Sequence, residues 1–164
     1  MSRIVSRPDA RFVFAHPAHF LALGFGAGLL PHAPGTAGTL LALPIWYLGA
    51  DALGPAAFLM LIALLFAGGV WACEITGRHL GVPDHGAMCW DETVAFLLVL
   101  ALAPRGPAWQ AAAFVVFRVF DVLKPPPIRT LERRLRGGFG VMLDDLAAAG
   151  YTLLVLAAAT GFVA

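Results

Sequence analysis

The chain has 164 residues, 60% of them hydrophobic and 13% charged, against roughly 25% charged in an ordinary soluble domain. Eleven basic residues nearly balance ten acids, for a net charge of +1. These values fit one domain in contact with a lipid bilayer, and they give no basic surface for nucleic acid. Cys73 and Cys89 have neither zinc nor redox spacing and read as small core residues. The first twenty residues lack the long apolar run of a cleavable signal, so the chain is expected to stay in the membrane.

Residues 1–19, with Arg3, Arg7 and Arg11 among prolines and histidines, read as a basic N-terminal arm, mobile or interfacial. Residues 20–164 read as one helical domain. Residues 20–39 are apolar but rich in Gly and Pro, which suits a loop or re-entrant segment. A helix is predicted from near Thr36 to about Gly49, then a turn at Asp51 and Gly54-Pro55. Residues 53–73 are the clearest spanning helix. Glu74, Arg78 and His79 follow, then the polar loop GVPDHGAMC. A third helix is predicted over residues 90–103 and a fourth over 108–123, with a sharp turn at 104–107. Pro125-Pro126-Pro127 stops the fourth, because proline lacks the amide proton and clashes with the preceding turn. A short helix is expected over 127–136, and a last apolar helix from about Asp144 onward.

The expected fold class is all-α: a compact multi-helix membrane bundle with about four to five apolar helices. Some need not cross fully, since fourteen residues extend about 21 Å against a hydrocarbon core of roughly 30 Å. Folded as alternating hairpins, the turns at 51–55 and 104–107 fall on one side. The arm, the 31–39, 74–91 and 121–145 segments and nearly all basic residues fall on the other. The positive-inside rule places that side in the cytoplasm.

Five constellations on that side carry chemistry. Asp91 and Glu92, preceded by Asp84 and His85, open an apolar helix that would bury at least one acid. Helix-dipole complementarity explains their placement, and a bound cation would relieve their cost. Arg118, Asp121 and Lys124 share roughly one helix face beside the proline break, as an intrahelical ion pair or as substrate and metal groups. The Gly137-Gly138-Phe139-Gly140 run reads as a flexible turn or as a nest of amides for an anion. Asp144 and Asp145 follow it, about 100° apart on a helix, so one suits a metal and the other a neighbouring role. Arg129, Glu132, Arg133 and Arg136 make a cationic face that suits anionic headgroups. Thr36 is positioned to cap a helix facing an anion. Carboxylates without a Cys/His cluster favour Mg²⁺ over Zn²⁺, and Mg²⁺ beside cations suits phosphate-ester hydrolysis.

The stretches GFGAGLLPHAPGTAGT, DHGAMCWDE, FRVFDVLKPPPIR and GGFGVMLDD, in this order, resemble the phosphatidylglycerophosphatase A family. They cover residues from about 20 to 150. Ala87 and Thr39 stand where some relatives carry serine. The resemblance implies an all-helical, Mg²⁺-dependent lipid phosphatase of the bacterial inner membrane, multi-pass, with its site facing the cytoplasm. It implies phosphatidylglycerophosphate as substrate and phosphatidylglycerol as product. No Cys-x5-Arg loop, Asp-x-Asp motif or paired-His arrangement competes with it.

The combined expectation assigns Asp91, Glu92, Asp121 and Asp145 to metal. Lys124 and Asp144 join them in catalysis. Thr36, Asp84, Arg118, Arg129, Arg133 and Gly138 are assigned to substrate. The partners expected are the lipid substrate and the bilayer, with its acyl chains in lipid, and a homo-oligomer is left open. The competing class is a transporter or ion pathway built on the same acids.

Overall fold

The computed structural model describes residues 7–126, 128, 135 and 137–163, and the elements assigned in it are helices. Asp9 caps α1 (Ala10–Ala15) by accepting the Phe12 amide, and His16 caps α2 (Pro17–Ala22) by accepting the Ala18 amide. The expected mobile arm is therefore helical from Ala10. It is also packed, with Val13, Ala18 and His19 buried. A 3-10 segment, Gly24–Leu29, occupies much of the expected loop.

Helix α3 spans Pro34–Leu53. Proline at its first position loses no bond, since that amide has no intrahelical partner. Ala33 stands at the cap position, so Thr36 lies inside the first turn and is not the cap. Helix α4 spans Pro55–Leu80 and runs past the expected end at 73, taking Glu74, Arg78 and His79 into its last turns. Helices α5 (Trp90–Leu102) and α6 (Pro107–Leu123) match their predicted extents closely. Helix α7 spans Gly137–Val163 and begins seven residues before the expected start at Asp144. Residues 137–140 are thus its first turn, not a loop. Arg129, Glu132, Arg133 and Arg136, and with them most of the short helix expected there, lie outside the described residues.

Helix α5 is the axis of the molecule. Nine of its thirteen residues are buried, and it packs against α3, α4 and α7. Trp90, Phe96, Phe117 and Met142 are among the fully buried side chains around it. Each such side chain contributes roughly 1.5–3 kcal/mol on burial. Arg105 pairs with Asp51 at 3.1 Å, and the Tyr47 hydroxyl meets Gln110 Oε1 at 2.5 Å. The exposed ion pair adds little stability. It does locate both hairpin turns at one end, as the alternating topology requires. The start of α3, the end of α4, the start of α5, the end of α6 and the start of α7 gather at the other.

Helices α4 and α7 are long and apolar enough to cross a membrane. These are two of the four to five apolar helices expected. Helices α5 and α6, of 13 and 17 residues, extend only about 20 and 26 Å.

Candidate active site

Hydrogen bonds to neighbouring helices hold the acid-bearing ends of α5 and α7 at the polar end. The Cys89 amide donates to Ala22 O at 3.0 Å, tying the start of α5 to α2. The Thr93 hydroxyl donates to Gly38 O at 2.8 Å and to Cys89 O at 3.0 Å, tying it to α3. On α7, the Gly138 amide donates to Glu74 Oε2 at 2.8 Å, tying that start to α4. A Cβ on Gly138 would run into the Val70 carbonyl and the Glu74 amide, so only glycine lets α7 lie this close to α4. The Gly138 amide is therefore occupied by Glu74 and is not the open anion nest expected from the sequence.

Asp91, Glu92 and Asp145 converge. Each offers an oxygen within 4.8 Å of the others'. Asp91 and Asp145 are buried, and Asp91 Oδ1, Glu92 Oε2 and Asp145 Oδ2 are buried without a hydrogen-bond partner. An unpaired buried carboxylate oxygen is costly, and three facing each other are costlier. Burial pushes the Asp91 carboxyl well above its ordinary range, with the neighbouring Glu92 charge adding to it. Burial likewise lifts Glu92 to about 8, with the charge of Asp145 contributing next. A hard divalent cation fits this donor set, since it would satisfy the orphaned oxygens and cancel the repulsion.

The cations stand at the edge of this cluster. Arg118 pairs with Asp121 one turn along α6, and its Nη1 lies 3.6 Å from Glu92 Oε1. Asp121 is buried between Arg118 and Asp145, whose side chain is within hydrogen-bonding reach. It is not one of the three converging acids, although the sequence reading grouped it with them as a metal ligand. Lys124 Nζ meets Asp144 Oδ2 at 2.5 Å. Lys124 caps α6 in the left-handed region, at φ 42°, an unusual conformation for a residue with a side chain. The two sequential acids of α7 thus face different partners: Asp145 the acid cluster, Asp144 the ammonium. Asp84 lies on the loop after α4 and, with Asp144, lines a cavity of about 380 Å³. Its charge also reaches Asp91. Thr36 stands beside Gly35, where a Cβ would collide with Glu92 Oε1 and crowd Arg118 Nη1.

Two residues here were not singled out from sequence. Gly35 sits in the GTAGT stretch, where Thr36 is the residue with a capping side chain. Glu74 was expected just past the spanning helix, whereas it lies inside α4.

The phosphatidylglycerophosphatase A family model matches residues 20–160. The chain is 42% identical over 152 residues to a phosphatidylglycerophosphatase A of Haemophilus influenzae, covering 92% of this chain and 93% of that one. It is 41% identical over 140 residues to the Escherichia coli phosphatidylglycerophosphatase A, covering 85% and 81%. It is also 38% identical over 143 residues to a candidate phosphatidylinositol-3-phosphatase of Bacteroides thetaiotaomicron, covering 83% and 89%. No solved structure matches it at comparable significance. On the family match and these identities over most of its length, the chain belongs to the phosphatidylglycerophosphatase A family.

Proposed function

We propose that this protein is a Mg²⁺-dependent membrane phosphatase that hydrolyses phosphatidylglycerophosphate to phosphatidylglycerol and phosphate. The observation that carries the reading is the convergence of Asp91, Glu92 and Asp145 with orphaned buried oxygens beside Arg118 and Lys124. Family membership supplies the substrate class.

Asp91, Glu92 and Asp145 would hold the ion, with Asp121 beside them. When bound, Mg²⁺ supplies positive charge to phosphoryl oxygens and makes a water more acidic. Arg118 is fixed by Asp121 and reaches toward Glu92, so its guanidinium is placed to take charge that develops on the phosphoryl group. Lys124 serves the same end from the Asp144 side. A carboxylate at this site accepts the proton of the attacking water. Water oxygen bonds to phosphorus, the phosphorus–glycerol oxygen bond breaks, and the leaving oxygen takes a proton. Asp84 and Thr36 are assigned to orienting the glycerol headgroup. Arg129 and Arg133 are assigned to the anionic membrane surface, in a chain that spans the inner membrane several times with this end in the cytoplasm.

An ion pathway would need charged groups through the bundle. The charges at the far end, Asp51 and Arg105, are an exposed pair. The test is phosphate release by purified protein in detergent, with phosphatidylglycerophosphate and a 3-phosphorylated phosphatidylinositol compared at matched concentration. The expected result is Mg²⁺-dependent release with clear preference for the former. No release from either lipid, or preference for the inositol lipid, would overturn the assignment.

A further inference from the structure

We infer that the crevice between α3 and α6 seats one acyl chain of the lipid substrate. The inference rests on the lipid-phosphatase reading above and goes beyond it, since the headgroup chemistry alone would leave both chains in bulk lipid.

The crevice exists because α3 and α6 each pack on α5 while making little contact with each other. It encloses about 350 Å³. Its floor is Phe96, fully buried, with Phe114 edge-on to it at 5.9 Å. Its α3 wall carries Leu40 and Leu43, and its α6 wall carries Ala111 and Val115. No charged side chain lines it. Its far end is closed by the Tyr47–Gln110 hydrogen bond.

The near end points toward the reaction centre. Phe96 is four residues after Glu92 on α5, so it lies one turn below it on the same face. Phe114 and Val115 are four and three residues before Arg118 on α6, again one turn below. Gly35, where a Cβ would meet Glu92 and Arg118, lies on α3 five residues before Leu40, where the α3 wall begins. The same three helices that meet at the Glu92–Arg118 contact therefore continue downward as an apolar slot. From Leu40 to Tyr47 the slot descends about 10 Å along α3, with Gly35 about 8 Å above its top. A molecule with its phosphate at Arg118 and a hydrocarbon tail in this slot satisfies both ends at once. Charge at the top and methylenes below are the chemistry of a phospholipid, not of a free phosphate ester. Anchoring one chain would also hold the phosphate at a fixed height against the acids.

The test fills the slot. Ala111 is exposed on the crevice wall, so Ala111→Trp adds bulk there without disturbing the core. Ala112→Trp, exposed on the same helix but outside the crevice, is the control. Phosphate release is measured for dioleoyl and dibutyryl phosphatidylglycerophosphate in one detergent. The wild-type preference for the long-chain substrate in kcat/KM should fall about tenfold in Ala111→Trp, the effect of displacing about two buried methylenes. The fall should appear mainly in KM, with the dibutyryl rate unchanged and Ala112→Trp like wild type. A long-to-short ratio that is unaltered in Ala111→Trp, or that falls equally in Ala112→Trp, would overturn the slot while leaving the phosphatase reading intact. Wild-type protein inactive on both lipids would instead strike the phosphatase reading.

Discussion

Asp91, Glu92 and Asp145 are held together against their own repulsion, and that makes the site measurable residue by residue. Asp91→Asn or Asp145→Asn should reduce Mg²⁺-dependent phosphate release by about a hundredfold or more, because each removes a hard anionic oxygen from the set. The same Asp91→Asn change should raise the melting temperature of chelator-treated protein at pH 8, by removing one of three crowded buried acids. The pH dependence has a definite sign. Glu92 in the folded chain titrates at about 8, above its ordinary 4.5, so the folded state holds an extra proton between those values. The stability of the metal-free protein should therefore fall as pH rises from about 4.5 through about 8, and Mg²⁺ should restore it. A melting temperature that rises across this interval without metal would contradict that. Gly35→Ala should cost activity by about tenfold or more with little change in melting temperature, since its Cβ would push first on the flexible ends of Glu92 and Arg118. The acids were legible in the sequence because charge is rare in so apolar a chain. Gly35 was not, because its importance is the absence of a side chain against a neighbour distant in sequence.

At the scale of elements, helix starts set the site. Helix α7 begins early because Glu74, held by Arg78 one turn along α4, takes the Gly138 amide. A glycine run reads locally as a turn, and only the contact with α4 makes it helical. This is a tertiary override of propensity. The N-terminal arm follows the same logic, since Asp9 and His16 caps and burial against the body turn a Pro/His-rich segment into α1 and α2. Helices α5 and α6 were placed well because Trp-Asp-Glu and the proline block are strong local punctuation. Gly138→Ala should destabilise the protein by about 1–3 kcal/mol, the usual cost of overpacking, and should lower activity by displacing Asp144 and Asp145. Thermal denaturation and phosphate release on the same preparation check both effects. An unchanged melting temperature would mean that α7 does not need its close approach to α4.

At the scale of the whole molecule, the sequence showed which segments share an end but not how many helices cross. Hairpin alternation and the clustering of charge sufficed for the first. The second depends on which helices are sheltered by neighbours, and α5, apolar beyond Thr93, is a buried axis of only 13 residues. Asp51 and the exposed loop glycine Gly86 lie at opposite ends of the chain's hairpins. In intact cells Asp51→Cys should react with an impermeant thiol reagent and Gly86→Cys should not, the native cysteines being buried. The reverse pattern would place the acids outside. The central claim is that the three converging carboxylates hold the cation on which hydrolysis depends. Its most direct test is a Mg²⁺ titration of phosphate release from phosphatidylglycerophosphate by chelator-treated wild-type protein and by Asp145→Asn. The expected result is full recovery of the wild type and no recovery of the variant at any Mg²⁺ concentration that saturates the wild type. Equal rates for both, or a wild-type rate that chelation leaves unchanged, would contradict it.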